Sequence, residues 1–300
     1  MKVAVLDLGT NTFHLMIAER NAQGDWSVLA KNKIYVKLAE EGIGHIGDAA
    51  FRRGLDALRV YKAELDAAGL PPDRIKAFGT AALRTADNAP DFLKEAAAIT
   101  GVMPETIPGD REAALIHKGV RKAVPFPGHR ALIMDIGGGS VEFIIADREQ
   151  VYWQQSFPVG AAVLWRQFHR HDPITNDEIE AAETWLDGAL ADLWRALERY
   201  PCPTLIGASG TFDVIDLFLL DPATKPALYG YIPVRDFYPL YEKLVHSTLA
   251  ERRAMDRLPE ERVEMVVIAL VLIRFVLRKA GTEDIYTSAY ALKEGMLEEW

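Results

Sequence analysis

The feature that most constrains this chain is a pattern that occurs twice: an apolar strand ending in aspartate, a turn of small residues, and a second apolar strand. The first copy covers residues 3–18 and has the turn Asp7-Leu-Gly-Thr-Asn-Thr12. The second covers residues 131–146 and has the turn Asp135-Ile-Gly-Gly-Gly-Ser140. Glycines and hydroxyl residues at a strand end let backbone N–H groups approach an anion closely. The repeat therefore predicts two related domains that face one anionic substrate.

The rest of the chain alternates strands with helices. Helical periodicity covers residues 49–68, 91–100 and 111–120, and a long amphipathic helix is predicted over 175–200, with Asn176 as its cap. A chain of 300 residues favours two domains over one. The segment Pro125-Phe-Pro-Gly128 interrupts the chain just before the second copy of the repeat. We therefore predict an α/β fold with domains at 1–124 and 125–300, whose last helix packs back on the first domain.

Composition excludes several classes of partner. The chain is 49% hydrophobic and 26% charged, as in ordinary soluble proteins. Its formal charge of -9 argues against a nucleic-acid or membrane-surface binder, because such proteins normally carry a basic face. Cys202 is the one cysteine and cannot form an internal disulfide, which fits a reducing cytoplasm. The apolar run at 263–277 is shorter than the ~20 residues that span a bilayer, and we expect a buried helix.

Four charged residues stand where phosphate chemistry needs them. Asp7 and Asp135 end the first strands of the two copies, and a carboxylate there can hold Mg²⁺, usually through water, or simply cap the turn. Arg84 can grip two phosphate oxygens at once. Glu112 opens a helical pattern, where a carboxylate acts as a base towards water or complements the helix dipole. A third small-residue turn, at 207–211, follows another apolar strand.

The ordered set of motifs is similar to the exopolyphosphatase / guanosine pentaphosphate phosphohydrolase (Ppx/GppA) phosphatase family, of the actin-like ATPase superfamily. The matching pieces are Asp7-Leu-Gly-Thr-Asn-Thr-Phe-His14, Thr80-Ala-Ala-Leu-Arg84, Gly109-Asp-Arg-Glu112-Ala, Asp135-Ile-Gly-Gly-Gly-Ser-Val-Glu142 and Gly207-Ala-Ser-Gly-Thr211. The resemblance implies two actin-like (ribonuclease H-like) α/β domains with a central cleft. It also implies hydrolysis of the terminal phosphate of polyphosphate or guanosine pentaphosphate, and a possible homodimer.

The resemblance assigns roles to the matching residues. It implies that Glu112 activates the attacking water, that Arg84 holds the terminal phosphoryl group, and that Asp135 contributes to catalysis. Asp135, Glu142 and Asp7 would organise Mg²⁺, with Mn²⁺ as the other candidate ion. The residues expected to bind phosphate oxygens are Asn11, Thr12, Gly138, Gly139, Ser140, Ser209 and Gly210. The chemistry would be in-line transfer of a terminal phosphoryl group to water.

The chain departs from the family pattern at three positions, one of which is Ala291, where the family usually has glycine. Arg111 stands where the family commonly has an acidic residue before the catalytic glutamate. Lys293, in Ser288-Ala-Tyr-Ala-Leu-Lys-Glu-Gly295, stands where the family usually has arginine. Lysine keeps the charge but lacks the bidentate fork. Whether the helix that carries Lys293 contacts the site is therefore a question for the structure.

Two other functions remain open from the sequence. An ATP-dependent kinase or ATPase of the same superfamily would need an adenosine-binding loop, and a catalytically idle phosphate or nucleotide sensor would not need a placed base. Lys31, Lys33 and Lys37 alternate along one strand, where they either guide a polyanion to the cleft or form a solvated edge. Glu264 either lines the cleft or, in the preferred interpretation, is a partnered carboxylate of the core or an interface.

Overall fold

The computed structural model describes residues 1–300 and contains two β-sheets with helices on their faces. The strands are β1 (Lys2–Leu8), β2 (Thr12–Arg20), β3 (Trp26–Tyr35), β4 (Ile75–Gly79), β5 (Glu105–Thr106), β6 (Ala131–Ile136), β7 (Val141–Ala146), β8 (Val151–Phe157), β9 (Thr204–Ala208), β10 (Tyr229–Pro233) and β11 (Asp284–Ser288). The helices are α1 (Asp48–Ala67), α2 (Ala81–Thr85), α3 (Ala89–Thr100), α4 (Gly109–Ala123), α5 (Ala161–Phe168), α6 (Asn176–Ala189), α7 (Ala191–Arg199), α8 (Gly210–Leu219), α9 (Val234–Val245), α10 (Leu249–Arg253), α11 (Val266–Ala280) and α12 (Leu292–Leu297).

The two sheets share the order and direction of five strands, and the second sheet has the additional edge strand β10. The first has the strand order β3-β2-β1-β4-β5, and the second has the order β8-β7-β6-β9-β11-β10. In each, three antiparallel strands open the sheet and a parallel strand, β4 or β9, then lies beside the first of them. The repeat seen in the sequence is thus a repeat of structure. The place of the domain boundary near residue 125 stays a prediction.

The register of the two hairpins is also the same. Asp7 lies opposite His14 in the β1–β2 pair, and Asp135 lies opposite Glu142 in the β6–β7 pair. All residues of β6 and β7 are buried, because helices cover both faces of this sheet. A strand that is buried on both faces holds Asp135, its last residue but one, in a fixed place at the sheet edge.

Helices α4 and α12 lie between the two sheets and share one apolar core with β1, β2, β6 and β7. The two helices cross at glycines. A Cβ atom on Gly119 would lie 2.1 Å from the carbonyl oxygen of Ala291, and one on Gly295 would lie 1.8 Å from that of Leu115. Only glycine permits this approach, which brings the start of α12 close to the sheet edge where Asp7 and Asp135 lie.

Two details of the sequence-based prediction were wrong. The helix predicted over 175–200 is two helices, because Gly188 weakens the last turn of α6 and Leu190, which is fully buried, leaves the helical conformation. Its cap is Thr175, which forms a capping box with Glu178, and not Asn176. Residues 266–277 of the apolar run lie in the largely buried helix α11, as expected, and residues 263–265 precede that helix. No helix is both long and apolar enough to cross a bilayer.

Candidate active site

The turns of the two hairpins and the turn before α8 meet in one cleft between the sheets, around a cavity of about 170 Å³. Eleven of the twelve predicted site residues line it: Asp7, Asn11, Thr12, Glu112, Asp135, Gly138, Gly139, Ser140, Glu142, Ser209 and Gly210. The twelfth, Arg84, borders an adjoining cavity that shares Ala81, Gly139 and Ser140 with the cleft. Strand ends from both sheets therefore bring the motifs together although they are distant in sequence.

Glycines allow the two hairpin turns to touch. A Cβ atom on Gly138 would lie 2.6 Å from Cγ of Asn11, and one on Gly139 would lie 2.9 Å from Oγ1 of Thr10. Thr10 is itself fixed, because its hydroxyl accepts a hydrogen bond from the backbone N–H of Ala82 at 3.1 Å. The cavity is therefore bounded by backbone, which suits a small anion bound by N–H groups.

Hydroxyl groups hold the carboxylates of the second hairpin. Oε1 of Glu142 accepts hydrogen bonds from Oγ of Ser140 at 2.7 Å and from Oγ of Ser156 at 2.6 Å. The hydroxyl of Ser209 donates to Oδ1 of Asp135. Ser209 adopts a φ of 71°, a backbone conformation that is uncommon for a residue other than glycine. The structure thus keeps both acidic side chains in fixed orientations.

The buried carboxylates of the cleft have raised pKa values. Burial is the largest cause, and it raises the pKa of Asp7 to about 7 and that of Asp135 to about 6. The pKa of Glu142 rises well above its usual value because the group is buried and faces Glu112 and Asp135. Groups that lose water and face like charges ionise less readily. The protein alone therefore stabilises the ionised carboxylates of the cleft incompletely.

Glu112 is paired with Arg84. Nη1 of Arg84 lies 2.6 Å from Oε2 of Glu112 and also donates to the carbonyl oxygen of Ile107 at 2.9 Å. Burial raises the pKa of Glu112 to about 7, against the lowering effect of the Arg84 guanidinium. Helix α4 positions Glu112 in its first turn, and Arg84 holds the carboxylate there. Arg84 approaches the cleft through this contact.

Cationic side chains also line the cleft. A Cβ atom on Gly210 would lie 1.7 Å from Nη2 of Arg262, so the guanidinium packs against the turn before α8. Lys293 lines the cleft, which answers the question about the helix that carries it. Burial alone would lower the pKa of Lys293, but Glu294, Asp7 and other carboxylates raise it overall. The neutral His14 lies among these cations, and burial first, then Lys293 and Arg262, lower its pKa to about 3.

Sequence reasoning missed three residues of the site: Arg262, Asp213 and Ser156. Arg262 and Asp213 line the cleft, and Ser156 holds Glu142. The sequence contained a signal for Arg262, since the charged run Glu260-Glu-Arg262 stands before the apolar helix α11. Ser156 gave none, because a serine in the exposed-looking strand β8 has many ordinary explanations.

The charges of the cleft suit a divalent cation. Six carboxylates face three cations: Asp7, Glu112, Asp135, Glu142, Asp213 and Glu261 against Lys33, Arg262 and Lys293. No group of three or more His, Cys, Asp or Glu side chains is arranged to hold a metal ion directly. Mg²⁺ is usually bound by one or two carboxylates, water and substrate phosphates. Asp135 and Asp7 can supply such carboxylates, and the donor set therefore fits a hydrated ion.

Comparison with known proteins identifies the family. The family model described as the Ppx/GppA phosphatase family matches residues 16–300. The chain belongs to the Ppx/GppA phosphatase family. An exopolyphosphatase of known structure from Cytophaga hutchinsonii is similar, with 36% identity, a TM-score of 0.93, and coverage of 99% of this chain and 97% of that one. The predicted α/β fold with two related sheets is confirmed, since this exopolyphosphatase superposes over nearly the whole chain.

Curated relatives in the Ppx/GppA family carry two different names. The chain is 28% identical over 298 residues to a guanosine-5'-triphosphate,3'-diphosphate pyrophosphatase of Photobacterium profundum, covering 99% of this chain. It is 29% identical to a putative exopolyphosphatase of Haemophilus influenzae, covering 99% of this chain and 90% of the relative. The chain spans only 58% of the length of the Photobacterium relative.

Proposed function

We propose that the protein hydrolyses the terminal phosphoanhydride bond of a polyphosphorylated substrate in the cleft between the two sheets. The observation that carries the proposal is the arrangement of a buried base, Glu112, and the buried acids Asp135 and Glu142 around a glycine-rich turn that can bind a phosphoryl group. A protein that only binds phosphate has no need of a placed base, which favours an enzyme over a sensor.

The roles of the residues follow from their positions. Backbone N–H groups of Gly138, Gly139 and Ser140 and the amide of Asn11 would bind oxygens of the terminal phosphoryl group. The start of helix α8 at Ser209–Gly210 would add further donors. These groups hold the phosphorus atom in place for in-line attack. Thr12, in the first hairpin, lies on the same wall and completes the predicted set of phosphate ligands.

Glu112 would accept a proton from the attacking water. Its pKa of about 7 is near the operating pH, as an effective general base requires. Arg84 orients the carboxylate in the free protein and would lend its remaining N–H donors to the phosphoryl group as charge moves onto the leaving oxygen. No covalent bond between protein and phosphate is needed in this scheme.

We further propose that the cleft uses Mg²⁺, with Mn²⁺ as a substitute, held through Asp135, Glu142 and Asp7. A bound divalent ion neutralises charge on the transferring phosphoryl group. Glu142, fixed by Ser140 and Ser156, would orient water around the site, and Asp135, fixed by Ser209, would face it directly. Without a cation, the six carboxylates would repel a polyanionic substrate.

The substrate class follows from the relatives named for polyphosphate and for guanosine pentaphosphate chemistry. Both substrates present a terminal phosphoryl group, so we propose either or both for this chain. We also propose that residues 1–124 and 125–300 act as two domains that enclose this group, in a cytoplasmic protein that can form a homodimer.

A phosphate-release assay tests the proposal. The purified chain is incubated with Mg²⁺ and, separately, long polyphosphate, tripolyphosphate, guanosine pentaphosphate and ATP, with and without EDTA. We expect metal-dependent release of phosphate from at least one of the first three. Release from ATP alone would favour the ATPase alternative, and no release from any would favour the sensor.

A further inference from the structure

Three lysines on or just after strand β3 are paired with carboxylates of the chain beyond residue 260. Nζ of Lys33 lies 2.7 Å from Oε1 of Glu261, and Nζ of Lys37 lies 2.7 Å from Oε2 of Glu264. Nζ of Lys31 lies 3.1 Å from Oε1 of Glu294. Strand β3 is an edge strand, and the side chains of Lys31 and Lys33 are 44% and 59% exposed, but all three lysines are ion-paired. Each pair joins the first sheet to a segment that follows the second hairpin.

Lys33 and Lys37 lie next to the residues that are proposed to bind the terminal phosphate. In the β2–β3 pair, Lys33 lies opposite His14 and lines the cleft, two residues along the strand from the position opposite Thr12. Lys37 lines a small adjoining cavity of about 100 Å³, which shares Asn11 and Met265 with the cleft. A phosphate chain whose end lies at Asn11 and Thr12 would therefore meet Lys33 or Lys37 next.

The carboxylate partners of Lys33 and Lys37 are partly exposed, so a substrate can displace them. Glu261 and Glu264 lie in the short segment between helix α10 and helix α11, and their side chains are 28% and 34% exposed. The hydrogen bond from Lys33 lowers the pKa of Glu261, so this carboxylate stays charged. Partly exposed ion pairs are weak, and a polyanion that brings several charges can replace one carboxylate. Lys31 differs, because its partner Glu294 is buried and accepts the backbone N–H of Ala291 at 3.0 Å.

We propose that Lys33 and Lys37 bind the phosphates next to the terminal group, and that Glu261 and Glu264 occupy these lysines until the substrate displaces them. The inference rests on the proposed function and adds a determinant of chain length to it. Any chain of three or more phosphates can reach both lysines, whereas pyrophosphate has only one phosphate beyond its terminal group. The carboxylates would also discourage single small anions, which cannot replace both partners.

Removal of the charges of Glu261 and Glu264 gives the decisive test. A purely structural role of their ion pairs predicts a change in kcat/KM in the opposite direction. The double variant Glu261→Gln, Glu264→Gln removes the competitors and should raise kcat/KM for long polyphosphate by about two- to fivefold for each substitution, the scale of a partly exposed ion pair. The gain should shrink at high ionic strength. If the pairs only hold the two halves together, the same variant will show a lower kcat/KM, and the proposal is wrong.

The lysines give the complementary measurement. Lys33→Met with Lys37→Met should raise KM for long polyphosphate several-fold more than the inhibition constant of pyrophosphate, which reaches at most one of the lysines. Lys62→Met and Asp66→Asn are matched controls, since they make the same charge changes in an exposed pair on α1. The ratio of these two constants in the controls should equal that of the wild type. An unchanged ratio in the double lysine variant would overturn the proposal.

Equilibrium binding separates this inference from the proposed function. Affinity for a fluorescently labelled long polyphosphate is measured in EDTA-free buffer with each variant. If the wild type releases no phosphate from any substrate, the proposed function fails, yet the double glutamate variant must still bind polyphosphate more tightly and the double lysine variant more weakly. If phosphate is released but neither affinity changes in that direction, the proposal about Lys33 and Lys37 is wrong and the proposed function stands.

Discussion

The substitution Glu112→Gln isolates the proposed base. Glutamine has nearly the same shape, and its amide oxygen can still accept the hydrogen bond from Nη1 of Arg84. Removal of a general base typically lowers rates by about 10²- to 10⁴-fold. We expect kcat for phosphate release to fall within that range while the affinity for polyphosphate changes little, because the phosphate-binding turns are untouched.

The free energy of unfolding of Glu112→Gln gives a second, independent test. Burial raises the pKa of Glu112 from 4.5 to about 7, so ionisation of this group destabilises the folded state. The cost is absent below pH 4.5, grows as the pH rises, and is complete above pH 7, where it amounts to at most about 3 kcal/mol. Glutamine carries no such cost. We therefore expect the variant to melt only slightly higher than the wild type at about pH 5 and a few degrees higher at about pH 8.

The assays are steady-state phosphate release and thermal unfolding, each from about pH 5 to about pH 9. In the wild type, kcat should rise with a midpoint near pH 7 as Glu112 loses its proton, and the residual rate of the variant should lack this step. A wild-type kcat in the Glu112→Gln protein would refute the role of the base. A lower melting temperature of that protein at about pH 8 would refute the account of its burial.

Two further predictions concern neighbours of the site. Ser156→Ala removes one of the two hydroxyls that donate to Glu142, and we expect about a tenfold lower kcat/KM and a higher Mg²⁺ concentration for half-maximal activity, from Mg²⁺ titrations of the rate. Gly295→Ala places a Cβ atom 1.8 Å from the carbonyl oxygen of Leu115 and should cost at least about 1–3 kcal/mol in urea unfolding. Gly188→Ala is its control, since no atom lies within 4 Å of the added Cβ atom, and it should not destabilise the protein.

Local patterns were sufficient to predict the architecture. The duplicated strand, turn and strand gave both hairpins, and the observed register places His14 and Glu142 at equivalent positions. Their difference was readable too, because the second copy has three glycines and an acid where the first has Thr10, Asn11 and a histidine. A repeat of this kind is visible in sequence because each copy must satisfy the same packing and turn geometry on its own.

Contacts between distant segments were not predictable in the same way. Arg262 reaches the turn at Gly210 only because α11 and α8 pack together, and Lys33 meets Glu261 only across the cleft. The preferred interpretation of Glu264 as a partnered carboxylate was correct, but its partner, Lys37, is 227 residues away. Such pairs depend on how the two sheets are placed, and no periodicity within one segment encodes that placement.

The most direct test of the central claim uses isotopically labelled water. Polyphosphate is hydrolysed with Mg²⁺ in H₂¹⁸O, and the products are examined by ³¹P NMR and mass spectrometry. Attack of water on the terminal phosphorus atom predicts that each released phosphate carries one ¹⁸O atom, that the shortened chain carries none, and that Glu112→Gln slows the appearance of labelled phosphate as much as it lowers kcat. Label on the remaining chain, fragments of mixed length, or phosphate transferred to an acceptor other than water would contradict the account.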